Sequence, residues 1–217
     1  MKNKEQQIKD KSRVSNFGEV LTSKREVLDM LNLVNTETSR LDSRFLEPAC
    51  GDGNFLVEIL SRKISILNCK FKKDKIDFER NSIIAISSLY GIDILNDNIE
   101  KLNIRLLDIF VNNYQSNFGK INLDLLKSIR YLLKKNLKFG DALNYKIPNS
   151  GEFIVFSEWS MVDLDFIKRR DFTFRDIMAY KPIDGPNLFS DLGDNAFIPT
   201  PVKDYPLKHY LKLHEQK

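Results

Sequence analysis

A turn rich in glycine stands out among the residues whose types and spacing could do chemistry. Gly51 and Gly53 are separated by one residue, and a helical pattern begins directly after them. Glycines at this spacing allow the backbone to approach a ligand closely before it enters a helix. The third glycine of a dinucleotide-binding loop is missing, and Glu47 and Asp52 flank the turn with negative charge, which disfavours phosphate. A cationic or zwitterionic ligand fits better.

Two further acids follow later apolar stretches, and together with Glu47 they define a candidate binding site. Asp93 ends one stretch and Asp141 directly follows another. S-adenosylmethionine carries a sulfonium, an amino-acid part and a nucleoside but no phosphate. Its pocket therefore needs carboxylates for the amine and the ribose hydroxyls, and an acceptor for the adenine edge. Glu47, Asp93 and Asp141 supply these groups in order. The alternative is that each acid is a solvated turn residue.

Strands and helices must bring these acids to one place. Apolar residues at steps of three and four predict helices that begin at Glu19, Asn54 and Asn96 and that cover Phe78–Leu89 and about Leu123–Leu133. Short apolar segments predict strands at Arg44–Pro48, Tyr90–Ile94, Leu137–Phe139 and Phe153–Phe156. This alternation predicts an α/β fold with a mostly parallel sheet, in which ligands bind beyond the carboxyl ends of the strands.

Four segments resemble, in order, the cofactor-binding motifs of a known enzyme family. Phe45–Leu56 is similar to the loop acid-Pro-x-x-Gly-x-Gly-x-Phe of class I S-adenosylmethionine-dependent methyltransferases, in particular the N6-adenine DNA methyltransferases of restriction-modification systems. Phe17–Ser23 resembles the element Phe-Gly-x-x-x-Thr-Pro that closes over the methionine part, with Ser23 where proline is usual. Tyr90–Ile94 resembles the family's second strand and Asn136–Leu143 its third.

The resemblance implies a Rossmann-like class I methyltransferase fold with S-adenosyl-L-methionine as its cofactor and no metal. It implies that Asp93 holds the ribose hydroxyls, that Ile94 packs on the adenine and that Asp141 accepts from the adenine amino group. The implied cofactor site consists of Phe17, Thr22, Glu47, Pro48, Ala49, Gly51, Gly53, Asp93, Ile94, Asp141 and Ala142.

The family's catalytic motif is replaced in this chain. The family has Asp, Asn or Ser followed by Pro-Pro and an aromatic residue, whereas this chain has Ser157-Glu158-Trp159 and no Pro-Pro dipeptide. Because the adenine amine is a poor nucleophile, the site needs an acceptor for the amine and an aromatic ring that stacks on the flipped base. We expect Ser157 or Glu158 to be the acceptor and Trp159 the stacking surface. Alternatively, Trp159 packs the strand end and Glu158 pairs with Lys168 or Arg169.

The length and charge of the chain bear on its partners. The 217 residues suffice for one domain, and the stretch after Phe156 is too short for a separate domain that reads a DNA sequence. The net charge of +4 permits a nucleic-acid partner without requiring one. Basic clusters at Lys70–Lys75, Lys134–Lys135 and Lys168–Arg170 are more typical of solvated surface than of phosphate contacts. DNA is the expected partner, and a second protein chain would supply sequence recognition.

Cysteine content and hydropathy indicate the compartment. Cys50 and Cys69 are too few for a disulfide framework or a zinc site, and no apolar run reaches the ~18 to 20 residues that cross a bilayer. The first residues are charged and lack the apolar core of a signal peptide. We therefore expect a cytoplasmic protein with no membrane association.

These observations predict an N-terminal tail, residues 1–15, and a single methyltransferase-like domain, residues 16–217. Within the domain, residues 16–156 form the cofactor-binding core, and residues 157–217 form a divergent acceptor region and C-terminal tail. The expected activity is methyl transfer from S-adenosylmethionine to adenine N6 in DNA. Two alternatives stay open: a catalytically inactive, cofactor-binding subunit that needs a partner chain, and a methyltransferase for a protein or small-molecule acceptor.

Overall fold

A three-stranded parallel sheet flanked by helices carries the predicted binding residues at one edge. The computed structural model describes residues 11–17, 19–20, 22–179 and 199–216. The parallel sheet consists of β1 (Phe45–Glu47), β2 (Leu89–Asp93) and β3 (Leu137–Phe139), in the order β1-β2-β3. In the strand register Glu47 pairs with Gly91, and Asp93 pairs with Phe139. The carboxyl ends of β1, β2 and β3 therefore lie at one edge of the sheet. The predicted α/β class is confirmed for this part of the chain.

Helices surround this sheet. They are α1 (Lys11–Phe17), α2 (Lys24–Leu33), α3 (Asn35–Thr38), α4 (Asn54–Phe71), α5 (Lys75–Ser87), α6 (Asn96–Phe118), α7 (Leu123–Asn136), α8 (Phe174–Met178) and a 3₁₀ helix (Tyr210–Glu215). Fully buried aliphatic residues such as Leu56, Ile83, Leu106 and Ile129 join α4, α5, α6 and α7 in one core. Among the described residues, none of these helices combines the length and the apolar character of a membrane span.

Side-chain caps set the starts of two helices. The Ser23 hydroxyl accepts from the N–H of Glu26, and the Glu26 carboxylate accepts from the N–H of Ser23 at 3.0 Å. For this reason α2 begins directly after Ser23, whereas apolar spacing predicted a start at Glu19. Asp74 likewise caps α5, which begins earlier than predicted. Asn96 was predicted to cap α6, but it is the first residue of that helix, and Leu95 holds the N-cap position without a side-chain hydrogen bond.

The fourth predicted strand does not join the parallel sheet. A second sheet contains β4 (Val155–Met161), β5 (Phe166–Thr173), β6 (Lys203–Asp204) and β7 (Lys208–His209), with every pairing antiparallel. The prediction of a strand over Phe153–Phe156 that ends before Ser157 is therefore wrong. Pairing with β5 continues the extended backbone through Ser157 and Trp159, so these residues lie within a strand and not at a strand end.

The β4–β5 hairpin has two different faces because strand side chains alternate. Trp159 stands opposite Arg169 on a buried face, and Glu158 stands opposite Arg170 on the more exposed face. The Trp159 indole Nε1 donates to Oδ1 of Asn136 at 2.9 Å. This bond attaches the buried face to the end of α7.

A buried lysine fixes the chain ahead of β1. Lys63 of α4 is 0% exposed, and its Nζ donates to the carbonyl oxygens of Leu41 at 2.7 Å and Ser43 at 2.8 Å and to Oγ of Ser88 at 2.6 Å. These acceptors use all three donors of the ammonium. Burial lowers the pKa of Lys63 to about 7. Lys63 thus joins α4 to the segments that precede β1 and β2, and so positions the turn between β1 and α4.

Candidate functional site

A cavity of about 380 Å³ opens at the carboxyl edge of the parallel sheet. Its wall consists of the segment before α2 and the segments that follow β1, β2 and β3. Most residues of the implied cofactor site line it, namely Thr22, Glu47, Pro48, Ala49, Gly51, Asp93, Ile94, Asp141 and Ala142. The volume lies within the ~300–1,000 Å³ typical of ligand pockets. The fold thus brings four distant parts of the chain to one concave site.

The other two residues of the implied cofactor site, Phe17 and Gly53, are not among the residues that line this cavity. Phe17 is the last residue of α1, and its side chain lies outside the described part of the structure. Gly53 precedes α4 with a φ of 93°, and a Cβ at this position would lie 2.1 Å from Cδ1 of Leu102. Gly53 is therefore needed for the backbone turn and for packing. Gly51, with a φ of 53°, lines the cavity itself.

The Asp93 carboxylate organises the turn. Its Oδ2 accepts from the backbone N–H of Gly51 at 2.8 Å, and its Oδ1 accepts from the N–H of Leu95 at 2.8 Å and from Nδ2 of Asn98 at 3.1 Å. Asp93 is 7% exposed. Because a carboxylate oxygen accepts about two hydrogen bonds, Oδ2 retains capacity for one ligand hydroxyl.

Asp141 shapes the loop after β3. Its Oδ1 accepts from the N–H of Leu143 at 2.9 Å, and its Oδ2 accepts from Nδ2 of Asn144 at 2.6 Å. The hydrogen bond from Asn144 and those from the loop backbone lower the pKa of Asp141, so this carboxylate is ionised at neutral pH. Asp141 therefore presents a fixed negative charge at the cavity wall.

Glu47 lies half-buried at the end of β1. Among the described residues its carboxylate has no hydrogen-bond or ion-pair partner. Burial raises the pKa of Glu47, because the charged form loses hydration and gains nothing in return. A cationic ligand group in the cavity would supply the missing partner.

The cavity as a whole is acidic. The described residues that line it include no Lys, Arg or His, and its acids are Glu19, Glu47, Asp52, Asp93 and Asp141. Arg105 lies beside the turn, where its Nη1 donates to the carbonyl oxygen of Asp52 at 2.6 Å and lies 3.2 Å from the Asp52 carboxylate, so Asp52 is partly neutralised. The charge favours a cationic ligand and opposes a polyphosphate.

Three residues that sequence reasoning missed hold the cavity wall together. The Asn98 Nδ2 donates to Glu19 at 2.8 Å as well as to Asp93. The Arg13 guanidinium donates to Glu19 at 2.9 Å and to Asp97 at 2.8 Å. Arg13 lowers the pKa of Glu19 and of Asp97 through these bonds. This network attaches the segment before α2 to the start of α6, although the residues involved are far apart in sequence.

Ser157 lies in the buried face of the β4–β5 hairpin, outside the cofactor cavity. Its Oγ donates to Oδ1 of Asp171 at 2.7 Å and accepts from Nε of Arg169 at 3.0 Å. Its carbonyl oxygen accepts from the Tyr90 hydroxyl at 3.0 Å. The hydroxyl is therefore fully engaged within the protein.

Glu158 and Trp159 also lie outside that cavity. Glu158 pairs with Arg44 at 2.9 Å and with Arg170 at 2.7 Å. The predicted alternatives, Lys168 and Arg169, are not its partners, because the strand register sets Glu158 opposite Arg170. Trp159 is buried, and its ring centroid lies 5.6 Å from the Arg169 guanidinium.

A second cavity, of about 430 Å³, lies between β1 and the hairpin. Glu158 and Arg170 stand at its polar side. Arg44 and Ser157 also line it, and the rest of its wall is apolar, with five aromatic residues, Phe45, Tyr90, Phe156, Phe172 and Phe174. Leu46 lines this cavity, whereas the next residue, Glu47, lines the first one. Successive residues of β1 thus face the two cavities.

The chain was compared with protein-family models, with curated proteins and with solved structures, and none of these comparisons found a match. Functional interpretation therefore depends on the geometry and chemistry of the two cavities.

Proposed function

We propose that this α/β domain is a Rossmann-like class I methyltransferase domain that binds S-adenosylmethionine in the acidic cavity. The observation that carries the proposal is the convergence of Glu47, Gly51, Asp93 and Asp141 on one cavity at the carboxyl edge of a parallel sheet. The positions of ligands in open α/β sheets support the same edge.

The donors and acceptors of the cavity match the parts of this cofactor. Glu47 would bind the amine or sulfonium, because its carboxylate lacks a counter-charge among the described residues. The free capacity of Asp93 Oδ2 suits a ribose hydroxyl, and Asp141 would accept from the adenine amino group. The cofactor supplies an activated methyl group. The residues of the chain orient it and exclude phosphate-bearing ligands by charge.

We propose DNA, with adenine N6 as the acceptor, as the substrate. The aromatic residues of the second cavity support a planar acceptor, since bases stack on aromatic side chains and flipped bases are held in this way. The two cavities share no lining residue, so transfer requires that the base reach from the second cavity to the methyl group in the acidic cavity. Ser157 and Glu158 both line the second cavity. Glu158, although it pairs with Arg44 and Arg170, is the more exposed of the two and the better placed to accept from the base. We propose a cytoplasmic location, where DNA and the cofactor are both present.

A non-catalytic role is the second candidate, and the engaged states of Ser157 and Trp159 favour it. The Ser157 hydroxyl is hydrogen-bonded to Asp171 and Arg169, and the Trp159 indole is hydrogen-bonded to Asn136. In this case the chain binds the cofactor and a partner chain supplies the acceptor site or the sequence recognition.

Transfer of a radioactive methyl group distinguishes the candidates. The purified chain is incubated with methyl-labelled cofactor and with DNA, RNA or protein substrates, with and without extract from the native host. Label in DNA without extract, lost in Glu158→Gln but retained in Lys168→Gln, supports the proposal. Cofactor binding without transfer to any acceptor supports the non-catalytic subunit, and label only in protein or a small molecule overturns DNA as the acceptor.

A further inference from the structure

Four lysines from three elements converge beside the hairpin. Lys134 and Lys135 end α7, Lys138 lies on β3 and Lys203 on β6. Lys135 and Lys203 lie against the same tyrosine rings as the guanidinium of Arg169, which is 2% exposed, and Lys138 is close enough to Lys134, Lys135 and Arg169 for their charges to act on it. We call Lys134, Lys135, Lys138 and Lys203 the lysine cluster.

Two tyrosine rings connect the cluster to Arg169. Lys135 Nζ lies 5.5 Å from the ring centroid of Tyr131, and Lys203 Nζ lies 4.7 Å from that of Tyr205. The Arg169 guanidinium lies 5.7 Å and 4.0 Å from the same two centroids. Cationic groups therefore share the faces of both rings.

The cluster has a large excess of positive charge. Asp171 is the acid beside it, and both Asp171 oxygens already accept from Arg169, at 2.8 Å and 2.6 Å. Asp171 also accepts from Ser157 and from Tyr205. Across the described ranges, none of the four lysines forms an ion pair. Nothing in this part of the chain neutralises them.

Burial and mutual repulsion act on the two half-buried lysines. Burial, followed by the charge of Arg169, lowers the pKa of Lys135. Burial, followed by the charge of Lys135, lowers the pKa of Lys138 to about 8. An anion placed among them would relieve both the repulsion and the lack of partners.

We infer that the lysine cluster binds the phosphate backbone of a nucleic acid. The inference deepens the proposed function, on which its choice of partner rests. Recognition of a carboxylate favours an arginine fork, and the fork in this region, Arg169, is buried and occupied by Asp171. Lysines are point charges that suit phosphates of any sequence. The site would therefore hold the duplex in place without reading its bases.

Salt dependence of DNA binding tests the inference. The triple variant Lys135→Gln, Lys138→Gln, Lys203→Gln removes three charges from the cluster. The control Lys70→Gln, Lys72→Gln, Lys73→Gln removes the same charge from exposed lysines at the end of α4. Binding of a short fluorescent DNA duplex is followed by anisotropy over a range of salt concentrations. A plot of log K against log salt concentration has a negative slope of about 0.9 per phosphate contact. In the cluster variant this slope should become shallower by about 3, and in the control it should stay unchanged.

The contrary results are distinct. If the cluster variant and the control lose DNA affinity equally, the effect is one of net charge in general. If the wild type binds polyglutamate as tightly as it binds DNA, the partner need not be a nucleic acid. Either result overturns the inference, as does unchanged binding in the cluster variant. Titration calorimetry with S-adenosylmethionine is run on the same samples. Cofactor binding that is retained in the variants shows that they fold and that the proposed function stands, whatever the result with DNA.

Discussion

The Asp93 carboxylate accepts a hydrogen bond from the backbone N–H of Gly51 at 2.8 Å. This bond ties the end of β2 to the turn after β1, and Gly51 takes a φ of 53° to make it. Asn98 donates to the same carboxylate and also to Glu19, so the segment before α2 is joined to the turn. The shape of the acidic cavity thus depends on one buried carboxylate.

Asp93→Asn should weaken S-adenosylmethionine binding about 5- to 150-fold, or by about 1–3 kcal/mol. If the amide nitrogen takes the place of Oδ2, the bond from the Gly51 N–H is lost; if it takes the place of Oδ1, the bonds from the Leu95 N–H and Asn98 Nδ2 are both lost. Isothermal titration calorimetry measures the change. Asp124→Asn is the matched control, because Asp124 is exposed in the first turn of α7 and lies outside the cavity. Affinity of Asp93→Asn within about twofold of the wild type would contradict this role.

Gly53→Ala should destabilise the wild-type protein by about 2–5 kcal/mol and a Leu102→Ala background by only about 1–2 kcal/mol. Gly53 has a φ of 93° and a ψ of 32°, in the left-handed region, so the substitution carries a backbone cost of about 1–2 kcal/mol in both backgrounds. A Cβ at Gly53 would also meet the buried side chain of Leu102, which adds about 1–3 kcal/mol only where that side chain is present. Urea denaturation gives the free energies of unfolding. Equal losses in the two backgrounds would mean that Leu102 moves aside freely.

Cofactor affinity should rise with pH as Glu47 ionises. Because burial raises the pKa of Glu47 above 4.5, the carboxylate becomes charged only at a higher pH than in an unfolded chain. Without ligand, the folded chain holds the extra proton, so its stability falls as the pH rises through this range. The ionised form attracts the cationic cofactor, so affinity changes in the opposite direction.

Calorimetry at several pH values, with wild type and Glu47→Gln, measures this dependence. We expect Glu47→Gln to bind more weakly and to lose the rise in affinity. A wild-type affinity that is constant through the titration of Glu47, or equal in the variant, would exclude Glu47 as the cation partner.

Lys63→Met should lower the free energy of unfolding by about 2–4 kcal/mol, because the carbonyls of Leu41 and Ser43 lose their buried donor. Chemical denaturation near pH 6 measures the effect. Lys70→Met, at an exposed position of the same helix, serves as the control. A loss below about 0.5 kcal/mol would mean that burying the ammonium already offsets its three hydrogen bonds.

The sequence predicted the parallel sheet, and the edge at which Glu47, Asp93 and Asp141 meet, because those signals are local. Gly51 and Gly53 lie within one turn, and Asp93 directly ends an apolar strand. The network of Arg13, Glu19 and Asn98 was missed because its members meet only through the tertiary fold.

The antiparallel pairing of β4 was missed for a similar reason. The apolar run Phe153–Phe156 reads equally well as a buried parallel strand, and only pairing with β5 decides the matter. Once Trp159 stands opposite Arg169, the alternation of side chains sets Ser157 on the buried face and Glu158 on the other. No pattern within the Ser-Glu-Trp segment contains this information.

Binding of S-adenosylmethionine to the purified chain tests the central claim most directly. Titration calorimetry should give one site per chain that also binds the demethylated product, that weakens in Glu47→Gln and Asp93→Asn, and that is unchanged in Asp124→Asn. No detectable binding up to about 1 mM cofactor, equivalent to a binding free energy weaker than about 4 kcal/mol, would contradict the proposed cofactor site.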